Sequence, residues 1–409
     1  MAFLTTSVAG TSSSMFMRES YAPRLRCCNF PRRARDSSLG AATRFRLPKN
    51  FNFVLHDALD SLGAETTLAR DARMRYRAEA EKLEESVKET SISVRGPVDL
   101  FNFALCVSAE DDALVSHSSV PLPVDSFFTR LVSLTMGYCD AYTFAFELAP
   151  DAFFETLDHY LYVNKVFRRS NPGYEVHSQA LYVNSVLTHR SGSSAMLSLI
   201  YSEILKMLDL WGRLNFEYEI LFPAHLSGLP RGYDKKKTIR LGKQRTMTNQ
   251  ELLEEILRDL KEAFWPFPRG RDGSLFLSGA HLVDRSAVAN ESAVQLASAK
   301  AAKHRLDRGI WTCVKFGDMR RALSASERLI LLETDAKELR DYSILLYHCG
   351  FYEKSLQFLK LYRESEARGT DLEEDAARKL MVRLDLIASE VGWTKPSTQY
   401  SLGNFSDPW

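Results

Sequence analysis

The sequence predicts an α+β fold in which helices predominate. Three patterns carry that expectation. Leu197, Ile200, Tyr201, Ile204, Leu205 and Leu208 recur along one broad apolar stripe of helical period. Leu214, Phe216, Tyr218, Ile220 and Phe222 alternate with Asn215, Glu217 and Glu219, the period-2 signature of a half-buried strand. The segment from Phe316 to Leu323 is echoed by Cys349 to Leu356, with Gly317 and Gly350 33 residues apart. That spacing is close to the ~34-residue period of tetratricopeptide helix pairs.

The elements follow in order. Residues 1–50 hold nine basic side chains (Arg18, Arg24, Arg26, Arg32, Arg33, Arg35, Arg44, Arg46 and Lys49) against Glu19 and Asp36. The whole chain carries +1, so the remaining residues carry −6. A stretch rich in arginine, serine and threonine and poor in acids reads as a disordered transit peptide. The opening Met1-Ala2, with hydroxyl residues ahead of the arginines, favours the chloroplast, and within it the stroma. The alternative for this stretch is a basic tail that contacts nucleic acid.

Residues 51–97 read as a helical extension. Its long charged helix carries a sparse stripe of Leu68, Ala72, Tyr76, Leu83 and Val87, enough to pack along one seam. Gly96-Pro97 breaks the chain before a domain spanning 98–290. Up to Phe167 the pattern is mainly helical, with Leu131, Leu134, Phe144 and Leu157 expected in the core. Asn171-Pro172-Gly173 signals a loop. A helix is expected to end at His189-Arg190, a turn to follow at Ser191-Gly192-Ser193, and a buried helix to start at Ser194. Gly212 provides the exit from that helix, and Pro223 ends the strand from Leu214 to Phe222. A further helix runs from Gln250 to Phe264, stopped by Trp265-Pro266-Phe267-Pro268. Residues 291–390 form the repeat-like helical region. With two units in sight it caps the preceding domain rather than standing alone. Residues 391–409 read as a mobile tail.

The order helix, turn, helix start, strand and histidine places Ser194 at a helix N-terminus and His225 just past the next strand. Transglutaminase-like and papain-like thiol sites are laid out in this way, with cysteine at the helix start. The run Leu181-Tyr182-Val183-Asn184-Ser185-Val186-Leu187, followed by Arg190, Gly192, Leu197, Tyr201 and the Pro223-x-His225 step, resembles the SirB-type transglutaminase-like family. The resemblance spans roughly residues 100 to 385. It implies a helix-rich α+β domain followed by a tetratricopeptide-like helical region, in a plant chloroplast member. Ser194 stands where the family has proline, and Ala224 stands where it has the glycine before the histidine.

These departures bear on chemistry. A helix N-terminus lowers a thiol pKa and can stabilise an oxyanion, but a serine hydroxyl there stays protonated without an aligned base. Ser194 therefore reads as a cap or first-turn residue, and His225 as a structural histidine at a pocket rim. Together they are degenerate catalytic candidates. The acid that would orient the ring is missing from its family context: Asp234, Asp272 and Asp284 are the downstream choices. Cys139 has no local sequence that supports a nucleophile's role. Cys106, Cys139, Cys313 and Cys349 show no metal-ligand spacing, nor do His177, His189, His281 and His304, so neither a metal nor a cofactor is expected.

The segment after His225 is strongly basic, with Arg231, Lys235, Lys236, Lys237, Arg240, Lys243 and Arg245 against Asp234. It is a solvated insertion or a contact for an acidic protein surface, lipid headgroups or RNA. Tyr233 is its sole aromatic available for base stacking, which makes nucleic acid the least favoured partner. No apolar run approaches the length of a membrane span. The function expected is a non-catalytic interaction or scaffold protein of the chloroplast with a protein partner. The alternative is a hydrolase or acyltransferase that uses Ser194 and His225.

Overall fold

The computed structural model describes residues 52–85, 99–116, 120–170, 178–221, 229–234, 248–268, 273–285, 304, 306–307, 317–365 and 369–393. The fold is predominantly helical. In chain order the helices are α1 (Leu55–Ser61), α2 (Thr67–Glu85), α3 (Leu100–Ser116), α4 (Val124–Ala141), α5 (Pro150–Asp158), α6 (Val183–His189) and α7 (Ser194–Leu210). They continue as α8 (Asn249–Phe264), α9 (Leu275–Arg285), α10 (Met319–Leu331), α11 (Lys337–His348), α12 (Tyr352–Glu364) and α13 (Asp371–Trp393). Two short sheets accompany them. β1 (Arg168–Arg169) runs parallel to β2 (Ser191–Gly192), and β3 (Tyr218–Leu221) runs antiparallel to β4 (Arg231–Asp234).

Residues 42–409 form one compact unit. The segments separated in the sequence as extension, central domain and repeat-like region therefore share a core. α2 packs along α3, α8 lies against α10, and α10 to α13 pack in succession. The stripe of α2 is buried at Ala72, Tyr76 and Leu83 and is completed by Ala69 and Ala80, whereas Leu68 is only half-buried; Val87 lies outside the described residues. α8 begins with a reciprocal capping box, Thr248 with Glu251, and buries Leu252, Leu253, Ile256 and Leu260.

The two echoed glycines adopt the same left-handed backbone, Gly317 at φ +72° and Gly350 at φ +85°, each just ahead of a helix. At Gly317 a Cβ would also lie 2.4 Å from Pro266 Cα and 2.5 Å from the Trp265 carbonyl oxygen, so the repeat-like region is seated directly on the turn that ends α8.

Phe144 departs from expectation. It lies in the 3₁₀ turn Thr143–Glu147, where Ala145 is the fully buried residue, and Phe144 is left 55% exposed. A helical period read through this segment assigns the inward position to the wrong residue, because the tighter turn changes which side chain faces the core.

At the centre is a buried ionic network that hydropathy did not reveal. Glu110 and Asp111 sit on the inner side of α3, Arg73 on α2, and Ser324, Glu327 and Arg328 on α10. Arg73 grips Glu110 through both Nε (2.8 Å) and Nη2 (2.6 Å), and reaches Glu327 through Nη1 at 2.8 Å. Arg328 donates from Nε to Glu110 at 3.1 Å and from Nη2 to Asp111. Around them Tyr342 donates to Glu327 at 2.6 Å, Tyr182 to Asp111 at 2.7 Å, and Ser324 to Glu110 at 3.0 Å. The backbone N–H of Leu55 reaches Glu327 at 3.2 Å, and His56 Nε2 lies 3.1 Å from Glu110. Burial alone would raise the Glu110 carboxyl. The Arg328 and Arg73 guanidiniums and the hydrogen bonds from His56 and Arg73 instead hold it well below the usual range.

Removing one cation from such a set leaves buried carboxylates unpaired. Arg328→Met is expected to lower stability by about 3–5 kcal/mol in a denaturant titration. The depressed pKa of Glu110 sets the pH dependence: its contribution is complete above about pH 4.5 and is lost as pH falls below that value. Thermal melts from pH 6 to pH 3 are expected to drop steeply in the wild type and less so in Glu110→Gln.

Candidate functional site

The frame around Ser194 is built by local backbone rules. α6 ends at Arg190, whose left-handed backbone (φ 56°) closes the helix with an N–H to the Val186 carbonyl at 2.7 Å. The chain then passes through β2. There a Cβ on Gly192 would meet Val186 at 2.8 Å, so the close approach requires glycine. Ser193 has extended backbone, donates its N–H to the Ala180 carbonyl at 2.9 Å, and accepts at its hydroxyl from Met196 N at 3.2 Å. Ser193 is therefore the N-cap of α7, and Ser194 is the first residue inside the helix, half-buried. Met196 and the whole stripe from Leu197 to Leu208 are buried.

The strand that follows is shorter than its alternation suggested. β3 begins at Tyr218 and pairs with Arg231–Asp234, so Leu214 to Glu217 are not strand, and Phe222 lies outside the described residues. Gly232 lets β4 approach α5, since a Cβ there would strike the Phe154 ring at 2.3 Å. The hairpin is tied to α7 through Asp158, which accepts from Tyr201 Oη at 3.0 Å and pairs with Arg231 Nε at 3.3 Å. Tyr162 adds a hydrogen bond to the Pro230 carbonyl. Burial raises the Asp158 carboxyl to about 6, against the opposing pull of the Tyr201 hydroxyl and Arg231. On α7 itself burial raises the Glu203 carboxyl to about 7, opposed by Lys206 3.7 Å away.

Of the sequence-predicted residues, the structure places Ser194 at the helix start and Arg231 on β4, in an ion pair with Asp158. His225 lies outside the described residues, as do Lys235, Lys236, Lys237, Arg240, Lys243 and Arg245. His177, Asp272 and Cys313 lie outside them as well. Cys139 is on α4, far along the chain from the α7 start, and burial raises its thiol pKa, the wrong direction for a nucleophile. His189, His281 and His304 are exposed. Among the described residues no group of three or more His, Cys, Asp or Glu side chains is arranged to hold a metal ion. Among them, too, no helix is long and apolar enough to cross a membrane. Asp158 and Tyr201, which join the hairpin to α7, were not singled out as a pair. Nothing in the local sequence links positions 43 residues apart.

The chain was compared with protein-family models, with curated proteins and with solved structures, and none matches.

The two serines at the α7 start should respond differently to truncation. Ser193→Ala removes the cap and is expected to cost about 1 kcal/mol in chemical denaturation. Ser194→Ala is expected to stay within about 0.5 kcal/mol. Asp158 makes a pH-dependent contribution of the opposite sign to Glu110. Its folded pKa, about 6, lies above the unfolded value of 3.8, so the folded chain holds that proton more tightly. Stability from this group therefore falls as pH rises from about 4 to about 6 and is flat above. Asp158→Asn should abolish that slope, seen as the difference between wild-type and variant melting profiles across the window.

Proposed function

We propose that this chain is a non-catalytic interaction protein of the chloroplast stroma. In this reading it has a degenerate SirB-type transglutaminase-like frame joined to a tetratricopeptide-like helical region. The observation that carries the reading is an unoccupied apolar face on the repeat-like side. On α13, Leu372, Val382 and Leu386 are each more than half exposed. Val382 and Leu386 border a groove of about 380 Å³ with Ala280 and Val283 of α9, rimmed by Asp375, Arg378, Lys379 and Arg383. Exposed aliphatic side chains set within a polar rim are the arrangement a small protein contact uses.

The α7 start supports the same reading. The Ser193 hydroxyl is committed to a backbone N–H, and Met196 behind it is buried. A frame whose polar groups serve its own helix is suited to holding a shape. The leader's composition supports the compartment.

The test is capture of a protein partner from isolated chloroplast stroma by the wild type and by Val382→Glu/Leu386→Glu. Both positions are exposed, so the double variant should fold with a stability change within about 0.5 kcal/mol per site. A partner enriched by the wild type and lost from the variant is the expected result. Enrichment of nothing, or equal enrichment by both, would reject the reading.

A further inference from the structure

The connection after α5 combines an irregular backbone with exposed apolar side chains. α5 continues as a π-helical turn, His159–Asn164, a form that costs backbone regularity and is concentrated at functional positions. It ends at Val166, whose φ is +58°. A β-branched residue in the left-handed region is strained, on the order of 1–3 kcal/mol, and glycine or asparagine would be the ordinary choice. The left-handed turn returns the Phe167 N–H to the Leu161 carbonyl at 2.9 Å and buries Phe167, but it leaves the valine side chains outside the core. Val166 is 54% exposed, and Val163 is 59% exposed. Phe144, 55% exposed, lies beside Tyr142 with ring centres 6.0 Å apart, and the Tyr142 hydroxyl accepts from Asn164 Nδ2 at 2.9 Å.

Cations surround these apolar tips. Lys165 stands between the valines with its Nζ 5.2 Å from the Tyr160 ring centre. Arg190 donates to the Lys165 carbonyl at 3.1 Å, and Arg168 is joined to Arg190 through the backbone at 2.9 Å. No carboxylate among the described residues forms an ion pair with Lys165, Arg168 or Arg190. Elsewhere on the surface Arg70 pairs with Asp57 and Asp60, Arg77 with Glu81, and Lys379 with Asp375. Asp140 is the acid felt by the nearby Tyr160, and it is not bonded to these cations.

We propose that this tip docks on an anionic lipid surface. Val163, Val166 and Phe144 would enter the headgroup boundary while Lys165, Arg168 and Arg190 meet lipid phosphates. Exposed aliphatic side chains interleaved with unneutralised cations match such an interface on both counts. A nucleic acid would use the charge and the ring but would leave the two valines without a role. The docking is peripheral, and it is independent of the α13 groove.

The test is co-sedimentation of the full chain with vesicles of phosphatidylcholine alone and of phosphatidylcholine with about one third phosphatidylglycerol. The wild type should bind the mixed vesicles, weaken as salt rises, and leave neutral vesicles unbound. At about 1 kcal/mol for each cation near the surface, Lys165→Glu/Arg168→Glu should bind at least about 25-fold more weakly. Val166→Gly separates docking from folding. It relieves the left-handed strain, so thermal stability should hold or rise, while binding falls at least about fivefold. The proposal is overturned if the wild type ignores anionic vesicles, or if it binds neutral ones equally. It is also overturned if both variants bind like the wild type, or if the pair of charge reversals abolishes binding to single-stranded RNA while vesicle binding is unchanged.

Discussion

The bidentate grip of Arg73 on Glu110 and the reach of Arg328 across Glu110 and Asp111 fix how the chain closes on itself. Their partners are separated by up to 254 positions in sequence, yet meet where no water competes. Taking five ionised groups out of water is expensive, and the attraction between them offsets that cost only in good geometry. α2, α3 and α10 must therefore arrive in one relative register. Apolar packing alone would tolerate neighbouring registers at modest cost, whereas a displaced guanidinium would strand a carboxylate. The contacts from Leu55 N, Tyr182 and Tyr342 extend the same requirement to α1, to the approach of α6 and to α11.

A second set lies along α11. Lys261 of α8 reaches Glu338 at 2.5 Å and Asp341 at 2.9 Å, while Arg340 holds Glu373 of α13 at 3.1 Å and lies over the Phe276 ring of α9. Burial would raise the Glu373 carboxyl, but Ser274 and Arg340 bring it down to about 2. α11 is thus pinned to α10 through Tyr342 and Glu327 and to α8 and α13 through the second set. This explains why the repeat-like helices join the same compact unit as the rest. Two helix pairs expose too much apolar surface to stand alone, and here the preceding helices cover it.

How much of this was legible depended on the range of the interaction. α7 and α8 followed from period and from local start and stop signals, because those are set within a few residues. The left-handed Gly317 and Gly350 were visible as an echo for the same reason. β3 was over-read at its start, since alternation announces a face and not where pairing begins. Phe144 was misplaced because a 3₁₀ turn breaks the helical period without a mark in composition. The ionic centre was missed altogether. One trace of it stood in the sequence: Glu110-Asp111 follows the apolar run from Leu100 to Val107 and shares the face that α3 buries. Acids at such positions imply cations from elsewhere, but their identity is a property of the fold.

The contrast between the interior and the α5–β1 connection bears on function. Inside, Arg73 and Arg328 each bond to two carboxylates, and the left-handed positions at Gly317 and Gly350 are filled by glycine. At Val166 the backbone is left-handed without glycine, the side chain is apolar without cover, and the neighbouring cations lack carboxylates among the described residues. Arg190 and Glu333 are left-handed without glycine as well, so what sets Val166 apart is a β-branched, apolar and exposed side chain at such a position. The α7 start is locally well formed, with a serine cap, a glycine where Val186 presses close, and an apolar stripe behind, although the preceding helix closes on left-handed Arg190. The helix behind it buries the Glu203 carboxyl, which desolvation raises to about 7, so α7 and the surface tip each hold a feature that folding alone does not favour.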